Sequence, residues 1–131
     1  MTNYLENLLI THVFRTSTFT KPTALSVALF TAVTDAEAGT VTEVTGGSYA
    51  RVAVNPLDAN WSAASGNNGT TSNVSTITFP QATADWGTVT HFGIHDGTNW
   101  MFIAALTNSR NITNGTTPSF AAGTLTVQID N

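Results

Sequence analysis

The spacing of apolar positions divides this chain into one amphipathic segment and a longer series of short strand-like segments. Over residues 3–14, apolar side chains recur at intervals of three and four, which is the repeat of one face of an α-helix. This stripe consists of Leu5, Leu8, Leu9, His12 and Val13. Asn3, with Glu6 three positions later, resembles a capping box. The pattern therefore predicts an N-terminal helix over residues 3–14.

The apolar stripe of this helix has two possible partners. It can pack on the sheet of its own domain, or it can dock on a neighbouring subunit. In the second interpretation the interface is formed by Leu5, Leu8, Leu9 and Val13. Helical spacing is compatible with both interpretations, because an apolar face needs a partner but does not specify which one.

After Pro22 the pattern changes to short strands separated by turn residues. Several segments alternate apolar and polar positions, which is the repeat of a half-buried strand. The predicted strands cover residues 24–33, 49–54, 74–79, 87–95 and 99–106, with a last strand around Leu125, Val127 and Ile129 that ends the strand region 24–130. We interpret residues 35–48, 62–73 and 107–117 as loops, because they are rich in turn-forming residues.

Six to eight short strands at regular spacing are typical of a β-sandwich or a small barrel. The length of 131 residues lies within the common size of a single domain, and no linker interrupts the pattern. We therefore predict a mainly β protein. It would be a single-domain antiparallel β-sandwich or small barrel over residues 1–131, with one N-terminal α-helix.

The composition is poor in the side chains that do chemistry. Charged residues make up 9% of the chain and cysteine is absent, whereas a soluble domain usually carries about 25% charged residues. We therefore expect a building block and not an enzyme, with no catalytic residues, no metal ligands and no cofactor. The net charge of −4, with four Lys and Arg in total, disfavours nucleic acid and anionic membranes as partners.

Two groups of residues deserve a test as binding sites. His91 and His95 share one face of a predicted strand, but at about 3.3 Å per residue they lie roughly 13 Å apart, too far to hold one zinc ion. The three tryptophans could form a platform for stacking sugars. Trp100 lies in an apolar strand and Trp86 at a strand entry, so both are expected in the interior. Trp61 is the remaining candidate for a glycan contact.

Several stretches, in order along nearly the whole chain, resemble one family of phage proteins. They are residues 27–31 (VALFT), 43–44 (EV), 46–51 (GGSYAR), 77–80 (ITFP), 86–94 (WGTVTHFGI) and 117–123 (TPSFAAG). The family comprises small virion structural proteins of tailed bacteriophages, commonly labelled tail-fibre-like. The resemblance implies a protein assembled in the host cytoplasm and located on the particle surface. The implied partners are the major capsid protein or other virion proteins, together with copies of itself in a dimer or trimer.

The resemblance leaves two functional hypotheses open. The first is a capsid cement or decoration protein, which binds and stabilises the major capsid lattice; a chain of one small domain, without a repetitive shaft, favours this role. The second is a tail-fibre or receptor-binding component that recognises a host surface glycan through its loops and Trp61. The two differ in copy number and in position on the particle.

Overall fold

The computed structural model describes residues 1–66 and 68–129. Within these residues the chain forms one helix followed by short and long strands. The elements are α1 (Asn3–Phe14), β1 (Ser26–Asp35), β2 (Thr40–Glu43), β3 (Val52–Ala53), β4 (Thr71–Ser72), β5 (Ile77–Thr78), β6 (Gly87–His95), β7 (Trp100–Ile112), β8 (Ser119–Phe120) and β9 (Thr126–Val127).

One antiparallel sheet organises the molecule. Its strands lie in the order β2-β1-β6-β7, and β3 also pairs with β1. Two further antiparallel pairs, β4 with β9 and β5 with β8, form small sheets. The prediction of a mainly antiparallel β domain with one N-terminal helix is confirmed. The sheets are open, so the described chain is not a closed barrel.

The larger core lies between the main sheet and the two small sheets. Alternate residues of β1 and β6 contribute to it from one face of the main sheet, and the small sheets and their loops cover that face. Its buried members are Val27, Leu29, Val44, Val54, Ile77, Phe79, Ala82, Trp86, Val89, Phe92, Ile94, Ile112, Leu125 and Val127. Trp86 is 6% exposed and its indole N–H donates to the carbonyl oxygen of Gly47 at 2.9 Å, which agrees with its predicted interior position.

A smaller core lies on the opposite face of the main sheet. Ala28, Phe30 and Ile103 are buried there, and Trp100 packs against them half-buried. Because consecutive residues of β1 are buried on both faces, this strand is central, as its continuous apolar run predicts. Gly93 of β6 makes the arrangement possible, since a Cβ placed there would lie 2.6 Å from the ring of Phe30.

The N-terminus of α1 is hydrogen-bonded to β7 and to the turn between β1 and β2. The backbone N–H of Thr2 donates to Met101 at 3.0 Å, and that of Asn3 donates to Glu37 at 2.9 Å. The Thr2 hydroxyl oxygen lies 2.6 Å from the carbonyl oxygen of Trp100. The helix spans the predicted residues, but the expected capping box of Asn3 and Glu6 is wrong. Thr2 is the N-cap residue and its side chain bonds β7 instead of the helix.

Several strand boundaries differ from the predicted ones, and some polar residues predicted as loop pair with a neighbouring strand. Residues 107–112 were predicted as loop, yet β7 continues to Ile112 because Gly87, Thr88 and Val89 of β6 pair with it. In the same way β2 lies within the predicted loop 35–48. β3, β5 and β9 are shorter than expected, and β4 and β8 were not predicted as strands. Asn67 of the predicted loop 62–73 and Asp130 of the strand region lie outside the described residues.

Replacing Gly93 with alanine tests the close approach of Phe30. The new methyl group would overlap the Phe30 ring in a buried strand, so we expect the free energy of unfolding to fall by about 1–3 kcal/mol in urea titrations. Combining Gly93→Ala with Phe30→Leu should reduce the added cost of the alanine. Thr88→Ala, on the exposed side of the same strand, is the control and should change stability by less than about 0.5 kcal/mol. Equal effects at both positions would contradict the assignment.

Candidate functional site

The four helix residues predicted to form an interface differ in burial. Leu5 is 4% exposed, so it packs inside its own chain, and Leu8 and Leu9 are half-buried. Val13 is 68% exposed near the helix end. Of the predicted interface residues, Val13 is therefore the one whose side chain lies largely free on the surface. The interface itself stays a prediction.

The helix carries a second apolar face beyond the predicted stripe. Ile10 is 60% exposed and Phe14 is 76% exposed, and together with Val13 they follow the spacing i, i+3, i+4. We call Ile10, Val13 and Phe14 the helix-end patch. Ile10 and Phe14 were not predicted as interface residues, because they lie outside the stripe of Leu5, Leu8, Leu9, His12 and Val13. The signal was present, since a helix that is apolar on both faces is expected to be covered on both faces.

A groove on the main domain contains the other predicted residue, Trp61. We call this cavity of about 600 Å³ the Trp61 groove. It is lined mostly by apolar side chains, with a few polar ones at its edge: Lys21, Leu25, Pro56, Leu57, Asp58, Trp61, Ser62, Ala63, Ala64, Thr71, Ile94, Met101, Phe102 and Val127. Leu57 is 58% exposed. The groove therefore offers an apolar floor and an exposed apolar side chain at its edge.

Trp61 contributes mainly apolar surface to this groove, because its hydrogen-bonding group already has a partner within the chain. The residue is half-buried and packs against the larger core. Its indole N–H donates to the carbonyl oxygen of Val54 at 3.1 Å. Lys21 also has a partner in its own chain, since its ammonium group donates to Pro56 at 2.9 Å. Ser62, Thr71 and Asp58 supply the remaining polar side chains of the lining.

A second depression of about 690 Å³ lies beside β7. Among the described strands β7 pairs with β6 alone, so the outer edge of most of its length carries no strand partner. Residues 102–108 of β7 line the depression together with Phe120, Val127 and Ile129. Its polar and apolar lining suits a strand-like segment, because backbone groups at an open edge remain available for pairing.

A connected set of polar contacts lies beside Trp100, which packs against the smaller core. Two nitrogens of Arg51 donate to the two carboxylate oxygens of Glu43, at 2.8 and 2.7 Å. The guanidinium carbon also lies 4.6 Å from the centre of the Trp100 ring. The ring of His95 meets Trp100 edge-on at 4.6 Å. The hydroxyl group of Tyr49 donates to Glu43 at 2.8 Å and accepts the backbone N–H of Leu29 at 3.0 Å.

These contacts change the protonation of the groups involved. Burial acts to raise the pKa of Glu43, but hydrogen bonds from Arg51 and Tyr49 and the charge of Arg51 outweigh it, so the pKa is lowered. Burial lowers the pKa of His95, and the nearby positive charge of Arg51 lowers it further. Burial raises the pKa of Tyr49. At neutral pH the cluster is therefore an ionised Glu43–Arg51 pair beside neutral aromatic rings.

Asp96 fixes the turn between β6 and β7 beside this cluster. Its Oδ1 accepts the backbone N–H groups of Thr98 and Asn99, at 2.8 and 2.6 Å, and its Oδ2 accepts the hydroxyl of Tyr4 at 2.9 Å. Burial acts to raise the pKa of Asp96, but these hydrogen bonds outweigh it and lower the pKa. The carboxylate thus links the first turn of α1 to the hairpin.

The described residues contain no group of three His, Cys, Asp or Glu side chains arranged to hold a metal ion. No helix in the same part of the chain has the length and apolar content needed to cross a membrane.

Removing the charge of Glu43 tests the polar cluster through pH. A lowered folded pKa contributes stability that is present above the unfolded value of about 4.3 and is lost as pH falls through the folded value. We expect Glu43→Gln to lower the free energy of unfolding at pH 7 by roughly 0.5–1 kcal/mol. It should also make the decline between about pH 5 and pH 3 shallower. Denaturant titrations at several pH values measure both effects.

Glu37→Gln is the matched control, because it removes the same charge from an exposed side chain with no hydrogen bond or ion pair in the described chain. It should leave the acid decline close to that of the wild type. A Glu43→Gln variant with the wild-type pH profile would mean that the ion pair contributes nothing measurable.

Comparison with known proteins supplies the family. No curated protein matches the chain. A family model, described as podophage GP4 fiber I protein gp80, matches residues 1–128. The resemblance to a tail-fibre-like phage family is thereby confirmed. The chain belongs to the podophage GP4 fiber I protein gp80 family and is a structural component of the phage particle.

Proposed function

We propose that this chain is a non-enzymatic fibre component on the surface of the phage particle, where it acts by binding other virion proteins and copies of itself. The observation that carries the proposal is the family match over residues 1–128, whose description names a fibre. The low charge of the chain supports the same role, since protein–protein contacts can form without the desolvation cost of many charged groups.

Several ionisable side chains form ion pairs or hydrogen bonds within the fold, which supports a structural role. Glu43 and Arg51 bind each other, and Asp96 holds a turn. Asp35 accepts the backbone N–H groups of residues 37 and 38, and Asp85 accepts that of residue 114. Acids used in this way stabilise loops, because each one satisfies backbone donors that turns leave unpaired.

A capsid cement role is the competing position for the same protein. From the sequence, the capsid cement role was the first hypothesis, because a single small domain suits a protein that decorates a capsid. The family description names a fibre instead, so we give the fibre role first place. Both positions need repeated weak contacts that together give high avidity.

Copy number separates the two positions. Fibres are present in small numbers per particle, whereas a decoration protein follows the capsid lattice. We expect quantitative gel densitometry of purified virions, calibrated against the major capsid protein, to give a handful to a few dozen copies. Hundreds of copies per particle would reject the fibre role and support capsid decoration.

Recognition of a host surface glycan is a second candidate function, favoured by the position of Trp61 in a groove. Stacking on an aromatic ring is a common part of sugar binding, and the groove also holds Ser62, Thr71 and Asp58. If this function is correct, the purified protein binds host cells or glycan arrays, and Trp61→Ala reduces that binding. The control is Trp100→Phe, which changes a tryptophan outside the groove lining. Absence of binding by the wild type, or equal binding by Trp61→Ala, would count against it.

A further inference from the structure

We propose that the helix-end patch of one copy binds in the Trp61 groove of a second copy of this chain. The contact would use two surfaces of one polypeptide that do not cover each other in the isolated molecule. It holds for a fibre and for a capsid position alike, so it does not depend on the proposed function.

The exposed apolar side chains of the described residues are concentrated on these two surfaces. The large ones are Ile10, Val13, Phe14, Leu57, Val74 and Ile129. Three of these six form the helix-end patch, and Leu57 lines the Trp61 groove. Contiguous exposed apolar patches commonly mark interaction sites, whereas single exposed apolar side chains are normal on a protein surface.

The geometry of each surface suits the other. An amphipathic helix binds a groove through side chains at i, i+3 and i+4, which is the spacing of Ile10, Val13 and Phe14. The Trp61 groove has an apolar floor, and its volume of about 600 Å³ can take several such side chains. A sugar would need many hydrogen-bonding groups, whereas the indole N–H of Trp61 and the ammonium of Lys21 already have partners. The lining therefore favours an apolar occupant.

Charge complementarity points to the same pairing. Arg15 follows Phe14 directly, is exposed, and its side chain has no hydrogen bond or ion pair within the described chain. Asp58 follows Leu57 directly and is equally without a partner there. Each apolar surface thus carries one charged side chain without a hydrogen bond or ion pair in the described chain, and these two side chains have opposite charges. Lys21 also lines the groove and keeps its positive charge, but its ammonium group donates to the carbonyl oxygen of Pro56 and forms no ion pair with Asp58 in the described chain.

The contact is expected to be weak in dilute solution and stronger in an assembly. A single helix end covers less area than a standard interface of about 1,600 Å², so we expect a dissociation constant of roughly 1–100 µM. If each of two copies places its helix end in the groove of the other, the contact closes a dimer, whereas a head-to-tail contact forms a ring or an open filament. Because the contact is mainly apolar, association should persist at about 0.5 M salt.

Two single variants and their mixture test the proposal by sedimentation velocity. Phe14→Asp removes the helix-end patch and Leu57→Asp changes the groove, and each should weaken self-association at least tenfold. An equimolar mixture should form a 1:1 heterodimer, because one variant keeps an intact groove and the other an intact helix end. Ile129→Asp, which changes an exposed apolar side chain outside both surfaces, is the control and should associate like the wild type. Circular dichroism checks that all variants fold.

Charge reversal tests the register of the contact. Arg15→Glu should weaken association roughly two- to fivefold, and adding Asp58→Arg should restore it. A wild-type protein that stays monomeric up to about 1 mM would overturn the proposal. Wild-type association of Leu57→Asp would also overturn it, because it would indicate that helix ends pair with one another and not with the groove. The proposal would equally be overturned if the mixture of Phe14→Asp and Leu57→Asp formed no heterodimer.

Discussion

The contact of Phe30 with Gly93 is the constraint on which the rest of the structure depends. The missing side chain of Gly93 leaves room for the Phe30 ring on the second face of the main sheet. Trp100 then meets Phe30 edge-on, with ring centres 4.8 Å apart. Because this face is covered, β1 is buried on both faces, and it pairs with β6 along one edge and with β2 and β3 along the other.

The polar cluster extends this arrangement to the surface. Arg51 covers Trp100, Glu43 holds Arg51, and the hydroxyl group of Tyr49 connects Glu43 to the backbone of β1. The ring of Tyr49 also lies edge-on to Trp86, so the cluster is joined to the larger core. An ion pair used in this way positions strands and loops. The helix-end patch and the Trp61 groove, by contrast, are largely apolar.

The sequence predicted the elements whose pattern is local and missed those that depend on distant partners. The apolar spacing of residues 3–14 and the alternation of residues 87–95 gave α1 and β6 with their observed bounds. The polar end of β7 could not be predicted in this way, since its strand conformation comes from pairing with β6. The predicted capping box was wrong for a similar reason, because Thr2 takes the N-cap position and β7 supplies the acceptors for its hydroxyl group. For the candidate site, Val13 and Trp61 were identified from sequence. Ile10, Phe14 and Leu57 required the structure, because only burial in the folded chain shows which apolar side chains stay uncovered.

We expect a structural protein that binds its neighbours through the helix-end patch and the Trp61 groove. Electron cryomicroscopy of the intact particle tests this most directly, because it gives the position of the chain and the neighbours of both surfaces together. We expect density for this domain in a fibre, with the helix-end patch of one copy bound in the Trp61 groove of the next. Copies spread over the capsid lattice, with the helix end and the groove both facing solvent, would contradict it.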